Sequence, residues 1–277
     1  MDVEPMSDVE SVDDFLLELK PRLDTLVERY ERTAFIADDP ISVPHGFDDP
    51  RDQEVIGLYA ALLAWGRRSV ILKKAAELAE RMDYRPYAFV RDFNAERDGA
   101  RLAGFKHRTF QPQDVLALTA ALSHLIQHHG SIEGAFAAHL PPDAPDIGPA
   151  IQGFSDAVLD HAQLPRLRKH VARPSTKSAC KRLAMYCRWM VRPGPVDFGL
   201  WTAIRPAQLV LPLDVHTGRQ ARKLGLLLRT QDDWRAAQAL TKRCRALAPD
   251  DPCRYDFALF GLGAYSDQPI GDDQAIG

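Results

Sequence analysis

The stretch LVLPLDVHTGRQARKLGLL, residues 209–227, sets a single carboxylate where an apolar run meets a helix. Gln208 to Leu213 reads as extended chain interrupted by Pro212, and Val215 to Leu227 reads as a helix with Asp214 at its N-cap. Backbone N–H groups and the positive end of the helix dipole both favour the ionised carboxyl, so Asp214 is expected to stay an anion even when partly buried. A fixed anion of this kind can face a positive charge that develops in a reaction. It can equally serve as a plain helix cap, worth about 1 kcal/mol. His216 and Arg219 follow within the first turns of the same helix.

Just upstream lies a concentration of positive charge. Residues 161–231 carry fourteen Lys and Arg against two acids, Asp197 and Asp214, in a chain whose overall net charge is -3. Arg166, Arg168, Lys169, Arg173 and Lys177 precede a segment in which Ser178 can cap a helix bearing Leu183, Tyr186, Cys187 and Met190. Clustered cations neutralise phosphates, so this segment points to a polyanion partner. A solvated basic face balanced by acidic neighbours is the alternative.

The elements that would position these groups are helical nearly throughout. Leu16, Leu19, Leu23, Leu26, Val27 and Tyr30 recur at helical spacing. An Asp- and Pro-rich loop over 38–52 precedes an apolar helix that stops near Gly66, with Arg67 and Arg68 just beyond it. Further helices are expected over Ile71–Met82, from Val115 to before Gly130, over Ile132–Leu140 and over Ile151–Leu159. Asp232 or Asp233 can cap a helix ending before Pro249, and Asp251-Pro252 opens a last one over Cys253–Leu262. No alternating strand ladder or repeat is present. The fold class is all-α: an acidic tail over 1–12, one helical domain over 13–265 and a C-terminal tail over 266–277.

The 277 residues can bury a sizeable core without disulfides or metals. No apolar run approaches the ~20 residues of a membrane span, and the acidic N-terminus is no signal peptide. Four cysteines suggest reduced thiols in a cytoplasmic protein. Their gaps match no cluster loop, so neither a metal nor another cofactor is expected.

The segment Pro212-Leu213-Asp214-Val215-His216 resembles the catalytic-aspartate motif of the helix-hairpin-helix DNA glycosylase superfamily, which includes endonuclease III and the 8-oxoguanine glycosylases. Leu213 stands where the eukaryotic pattern Pro-Val-Asp-Val-His has Val. DQEVIGLYAALLAWGRR (52–68), FKHRTF (105–110), SACKRLAMYCRWMVR (178–192), PLDVHTGRQARKLGL (212–226) and DPCRYDFALFGLG (251–263) resemble an uncharacterised bacterial family assigned to that superfamily. The resemblance implies two helical subdomains with a cleft between them, a degenerate hairpin, and a base-excision activity on double-stranded DNA. Asp214 would stabilise an oxocarbenium-like sugar. Lys181 or Lys177 would be the Schiff-base nucleophile of a glycosylase with lyase activity, Lys181 being favoured because it belongs to the family signature. Such a lysine needs a neutral amine, which the like charges of Lys177, Arg182 and Arg188 would favour.

The Gly-x-Gly hairpin is replaced by HVARPSTKS, residues 170–178, so backbone N–H groups near Ser178 would take its place at a phosphate. DNA contacts are expected from Arg168, Lys169, Arg173, Ser178, Arg182, His216 and Arg219. A base drawn out of the stack would meet Tyr255, Asp256, Phe257 and Trp189, with an oxidised purine as the nearest analogy. Asp256 sits among apolar residues and needs a partner, His216 or an arginine. No membrane or protein partner is expected, and His107 and Arg108 of FKHRTF have no assigned role. The alternative is a non-catalytic DNA- or RNA-binding protein on the same fold.

Overall fold

The computed structural model describes residues 8–264, with side chains from residue 14 onward. The tail expected over 266–277 lies outside the described residues. Of the tail expected over 1–12, residues 1–7 also lie outside, while helix α1 (Asp8–Tyr30) begins within it. Thirteen α-helices make up the described chain, joined by short 3-10 turns; two isolated bridges, His107 with Phe110 and Pro193 with Phe198, are the sole β-type pairings among the described residues.

The helices fall into two groups, and α10 lies between them. The first group contains α2 (Ser42–His45), α3 (Pro50–Leu63), α4 (Arg68–Arg81), α5 (Pro86–Arg91), α6 (Ala95–Leu102), α7 (Pro112–His129), α8 (Ile132–Ala137) and α9 (Gly148–Ala162). Its centre is α3, started by Asp49 as cap and Pro50 in the first turn and buried on every side from Glu54 to Leu63. Helices α4 and α5 pack on α3, and α7 joins α5 to α8 and α9. Gly130 ends α7 at φ +84°, a left-handed conformation that costs glycine little.

The second group joins the two ends of the described chain. Helix α1 packs against α12 (Trp234–Leu247) and α13 (Tyr255–Ala264), and α13 also packs on α11 (Val215–Lys223). Leu16, Leu23, Val27 and Tyr30 form the buried stripe of α1. Gly261 of α13 lies so close to the Tyr30 ring that a Cβ there would overlap it, so this crossing requires a residue without a side chain. Helix α10 (Lys181–Val191), buried from Leu183 onward, packs on α3 of the first group and carries arginines that pair with the second.

The apolar run before Asp214 is extended, as its sequence implies, but it has no strand partner among the described residues. Leu209, Val210 and Leu211 are fully buried, so their backbone groups need partners from elsewhere. Thr241 Oγ1 accepts from Leu211 N at 3.0 Å, Arg245 donates to the carbonyls of Ala207 and Leu209, and Ile147 N donates to Gln208 O at 2.9 Å. Side chains of α12 thus do what a neighbouring strand would do, and they fix where Asp214 emerges. In Thr241→Val the buried Leu211 N–H loses its acceptor, and urea unfolding should show a loss of about 1–3 kcal/mol.

Candidate active site

Asp214 caps α11 with one oxygen and leaves the other for a neighbour. Oδ1 accepts from the backbone N–H groups of His216 and Thr217, both at 2.9 Å, while Oδ2 lies 3.9 Å from Lys181 Nζ. The cap and the ion pair therefore use different lone pairs of one carboxylate. The cap orients the group, and the second oxygen faces a pocket.

Lys181 is the first residue of α10, and the turn before it is unusual. Lys177 at φ +61° and Cys180 at φ +50° are both left-handed without being glycine. Ser178 does not cap α10 as its sequence suggested. Its Oγ accepts from Cys180 N at 3.1 Å, and that tight turn starts the helix three residues later, with Cys180 in the N-cap position. A 3-10 turn, Pro174–Thr176, lies in the 170–178 stretch where a degenerate hairpin was expected, and another, Pro165–Lys169, precedes it.

Lys181, Met185 and Arg188 follow at i, i+4 and i+7 and line the pocket together. Lys181 Nζ also lies 3.3 Å from Met185 Sδ. Pro212, Asp214 and Thr217 form another wall, Phe35 and Asp39 a third, Ala64, Gly66 and Arg68 a fourth, and Asp256 and Phe260 of α13 close it. The open space is about 130 Å³. Thr217 Oγ1 and Arg188 Nε are buried without a hydrogen-bond partner among the described residues.

Beneath the pocket sits a network of buried charge. Arg188 donates to Asp256 Oδ2 at 2.5 Å and lies 3.3 Å from Asp197. Arg192, one turn on, binds Asp197 at 2.6 Å, Glu31 at 2.9 Å and Asp251 at 2.8 Å. Both guanidinium groups lie over the Phe257 ring, 4.4 and 5.5 Å from its centroid. Burial pushes the Asp256 carboxyl up to about 6; Arg188 opposes that, Asp214 adds to it and Lys181 opposes it. Burial likewise raises the carboxyl of Asp39, whose Oδ1 accepts from Ile41 N.

Among the four residues expected around a base, Asp256 lines this pocket, with Arg188 as its partner rather than His216. The other three lie in the core. Tyr255 is fully buried with its hydroxyl donating to Asp24 at 3.0 Å, Phe257 lies under the two arginines, and Trp189 is enclosed with its indole N–H unpaired. Adjacent residues of a helix point to different faces, so Asp256 shares its face with Phe260 four residues on. Phe260, Met185 and Arg188 were findable by that spacing; Asp39 and Phe35, reached from a distant loop, carried no such signal.

Of the two lysines, Lys181 lines the pocket, whereas Lys177 is exposed at the end of the Pro174–Thr176 turn. Arg182 turns away from Lys181 and donates to the carbonyls of Leu62 and Lys169 at 2.6 and 3.1 Å. Of the three cations expected around the Lys181 amine, Lys177 is exposed and Arg182 is held by two carbonyls, while Arg188 lines the same pocket; among the described residues the charged group within ion-pair distance of Nζ is the Asp214 carboxylate. Arg168, Lys169, His216 and Arg219 are exposed, and Arg173 pairs with Asp156 at 3.1 Å. The basic segment is only partly a free face, because Arg166, Arg173, Arg188, Arg192, Arg222 and Arg229 all pair with carboxylates.

In FKHRTF, His107 and Phe110 exchange backbone hydrogen bonds, and His107 is buried edge-on to Trp65. All four cysteines are free and buried, and burial raises each thiol. Among the described residues no three His, Cys, Asp or Glu side chains are grouped to hold a metal ion.

The Asp256 carboxyl should titrate near pH 6 in a carbon-detected NMR experiment, and its midpoint should fall in Asp214→Asn, where a neighbouring negative charge is gone. Its folded-state value lies above the ~3.9 of an unfolded chain, so its contribution to stability is full below that value and is lost as pH rises through about 6. Asp256→Asn should flatten the stability–pH curve over that window. A midpoint near 4 would show that the carboxyl is not desolvated in solution.

No curated protein and no solved structure matches the chain. The family described as "Protein of unknown function (DUF2400)" matches residues 39–265, a span that holds every pocket residue named above except Phe35. The chain belongs to the DUF2400 family.

Proposed function

We propose that this protein is a DNA base-excision glycosylase whose Lys181 forms a Schiff base with the deoxyribose. The observation that carries this reading is the 3.9 Å approach of Lys181 Nζ to the uncommitted oxygen of Asp214, in one pocket, from residues 33 positions apart. The resemblance of Pro212–His216 to the glycosylase aspartate motif supplies the reaction class, and the arrangement supplies its parts.

As the bond between C1′ and the damaged base breaks, its electron pair leaves with the base, and positive charge spreads over C1′ and the ring oxygen. Asp214 Oδ2, held by its capped partner oxygen, faces that charge without having to reorganise. Nζ gives up a proton to a carboxylate, for which Asp214 is the nearest acceptor, and adds to C1′. One of the two remaining Nζ protons passes to the ring oxygen as the C1′–O4′ bond breaks, which leaves the iminium; loss of the 2′ proton to water and departure of the 3′ phosphate with the C3′–O electron pair then cleave the strand. Phe35, Phe260 and Met185 give the pocket apolar walls for a flipped base, and Asp39, Asp256 and Thr217 are polar groups that could read its edge. Double-stranded DNA is the partner this reading requires. The exposed Arg168, Lys169, Lys177, His216 and Arg219 are its proposed backbone contacts.

The test is borohydride trapping on duplexes carrying 8-oxoguanine, uracil, thymine glycol or an abasic site. Wild type should give a covalent adduct with at least one of them. Lys181→Gln should abolish it, Lys177→Gln should keep it, and Asp214→Asn should slow base release by at least about 100-fold while duplex binding persists. Base release without an adduct would make the enzyme monofunctional, with Asp214 directing a water. Neither adduct nor base release on any duplex, with binding intact, would identify a non-catalytic DNA- or RNA-binding protein.

A further inference from the structure

A second cavity of about 200 Å³ is walled by Trp65, Thr109, Lys169, His170 and Arg182. It adjoins the first along two chain segments: Ala64 and Gly66 line the first cavity and Trp65 the second, while Lys181 lines the first and Arg182 the second. Its charge is unbalanced. Arg182 is half-buried, and its guanidinium is held by two backbone carbonyls and lies within ion-pair distance of no carboxylate among the described residues. Burial brings it down to about 10, as befits a cation removed from water with no anion beside it. Lys169 likewise has no ion pair among the described residues.

Two buried nitrogens at this cavity also lack hydrogen-bond partners. One is Trp65 Nε1. The other is His170 Nε2, on a ring only 2% exposed and 3.6 Å from Asp114 Oδ2, too far for a hydrogen bond. That Asp114 oxygen is itself engaged by Gln111 N at 2.7 Å and Arg166 at 3.3 Å. A guanidinium with unused N–H groups beside an ammonium and an indole donor is a set matched to a tetrahedral oxyanion.

We propose that this cavity is a phosphate-binding subsite, separate from the Lys181 pocket, in which Arg182 and Lys169 hold one phosphate group. The phosphate is either a phosphodiester of a bound nucleic acid or free inorganic phosphate. The subsite stands whether or not Lys181 reacts.

The experiment titrates the full chain with inorganic phosphate while following the Trp65 indole N–H resonance, identified by its loss in Trp65→Phe. It then measures duplex affinity against salt. The Trp65 resonance should shift and saturate with phosphate, and Lys169→Met, a change at an exposed side chain, should weaken that binding at least tenfold. Arg182→Gln should do the same if circular dichroism shows that it folds, and Lys181→Gln should leave phosphate binding unchanged. A salt slope lower by about one in Lys169→Met, together with a Trp65 shift on duplex addition, identifies the phosphodiester as the occupant. An unchanged slope with saturable phosphate binding identifies free phosphate. Absence of a saturable Trp65 shift with either probe overturns the proposal.

Discussion

Two buried arginines, Arg188 on α10 and Arg192 at its C-cap, hold the rest of the structure in place. Arg188 and Arg192 are nearly enclosed, and a lone buried guanidinium would cost several kcal/mol. They are tolerated because Glu31, Asp197 and the pair Asp251 and Asp256 converge on them from three separate parts of the chain. Glu31 ends α1, Asp197 lies in the loop after α10, and Asp251 and Asp256 flank the start of α13. Such a network adds little net stability over an apolar core. It penalises any arrangement in which one partner is missing, so it specifies how the two helical groups meet. The stripe that begins with these arginines continues along α10 to Met185 and Lys181, so the geometry of the pocket follows from the geometry of the buried charges.

The all-α class and most helices were legible because their signals are local. Gly130 and Asp233 each stop or start a helix by chemistry contained within a few residues, whereas Asp49 with Pro50, read as part of a loop over 38–52, opens α3. The cap at Asp214 was legible for the same reason. Ser178 was misread because a serine before an apolar run does not reveal that Lys177 and Cys180 take left-handed conformations, which shift the helix start to Lys181. The extended run over 208–213 could be recognised, but not the side chains of α12 that satisfy its backbone.

The sequence singles out Asp214 and Lys181, which share the pocket, but not its walls. Asp214 and Lys181 carry chemistry that a motif can name. Phe35 and Asp39 come from a linker whose position depends on α1 closing against α13. Tyr255 and Phe257 were drawn into the site by adjacency to Asp256, although a helix sends neighbours to different faces. The charge excess over 161–231 was also a one-dimensional quantity. Once folded, much of it is paired with carboxylates rather than free.

The contact between Tyr255 and Asp24 joins residues 231 positions apart, and the pocket draws on residues from Phe35 to Phe260. A helical protein usually folds quickly because its contacts are short in sequence. Here the closing contacts are as long as those of a β-barrel, and they come last during synthesis. A ribosome-bound chain that has exposed α10 but not α13 already displays the Lys181 amine, without Asp256 or Phe260 beside it. The pocket is therefore complete only when α13 has closed against α1.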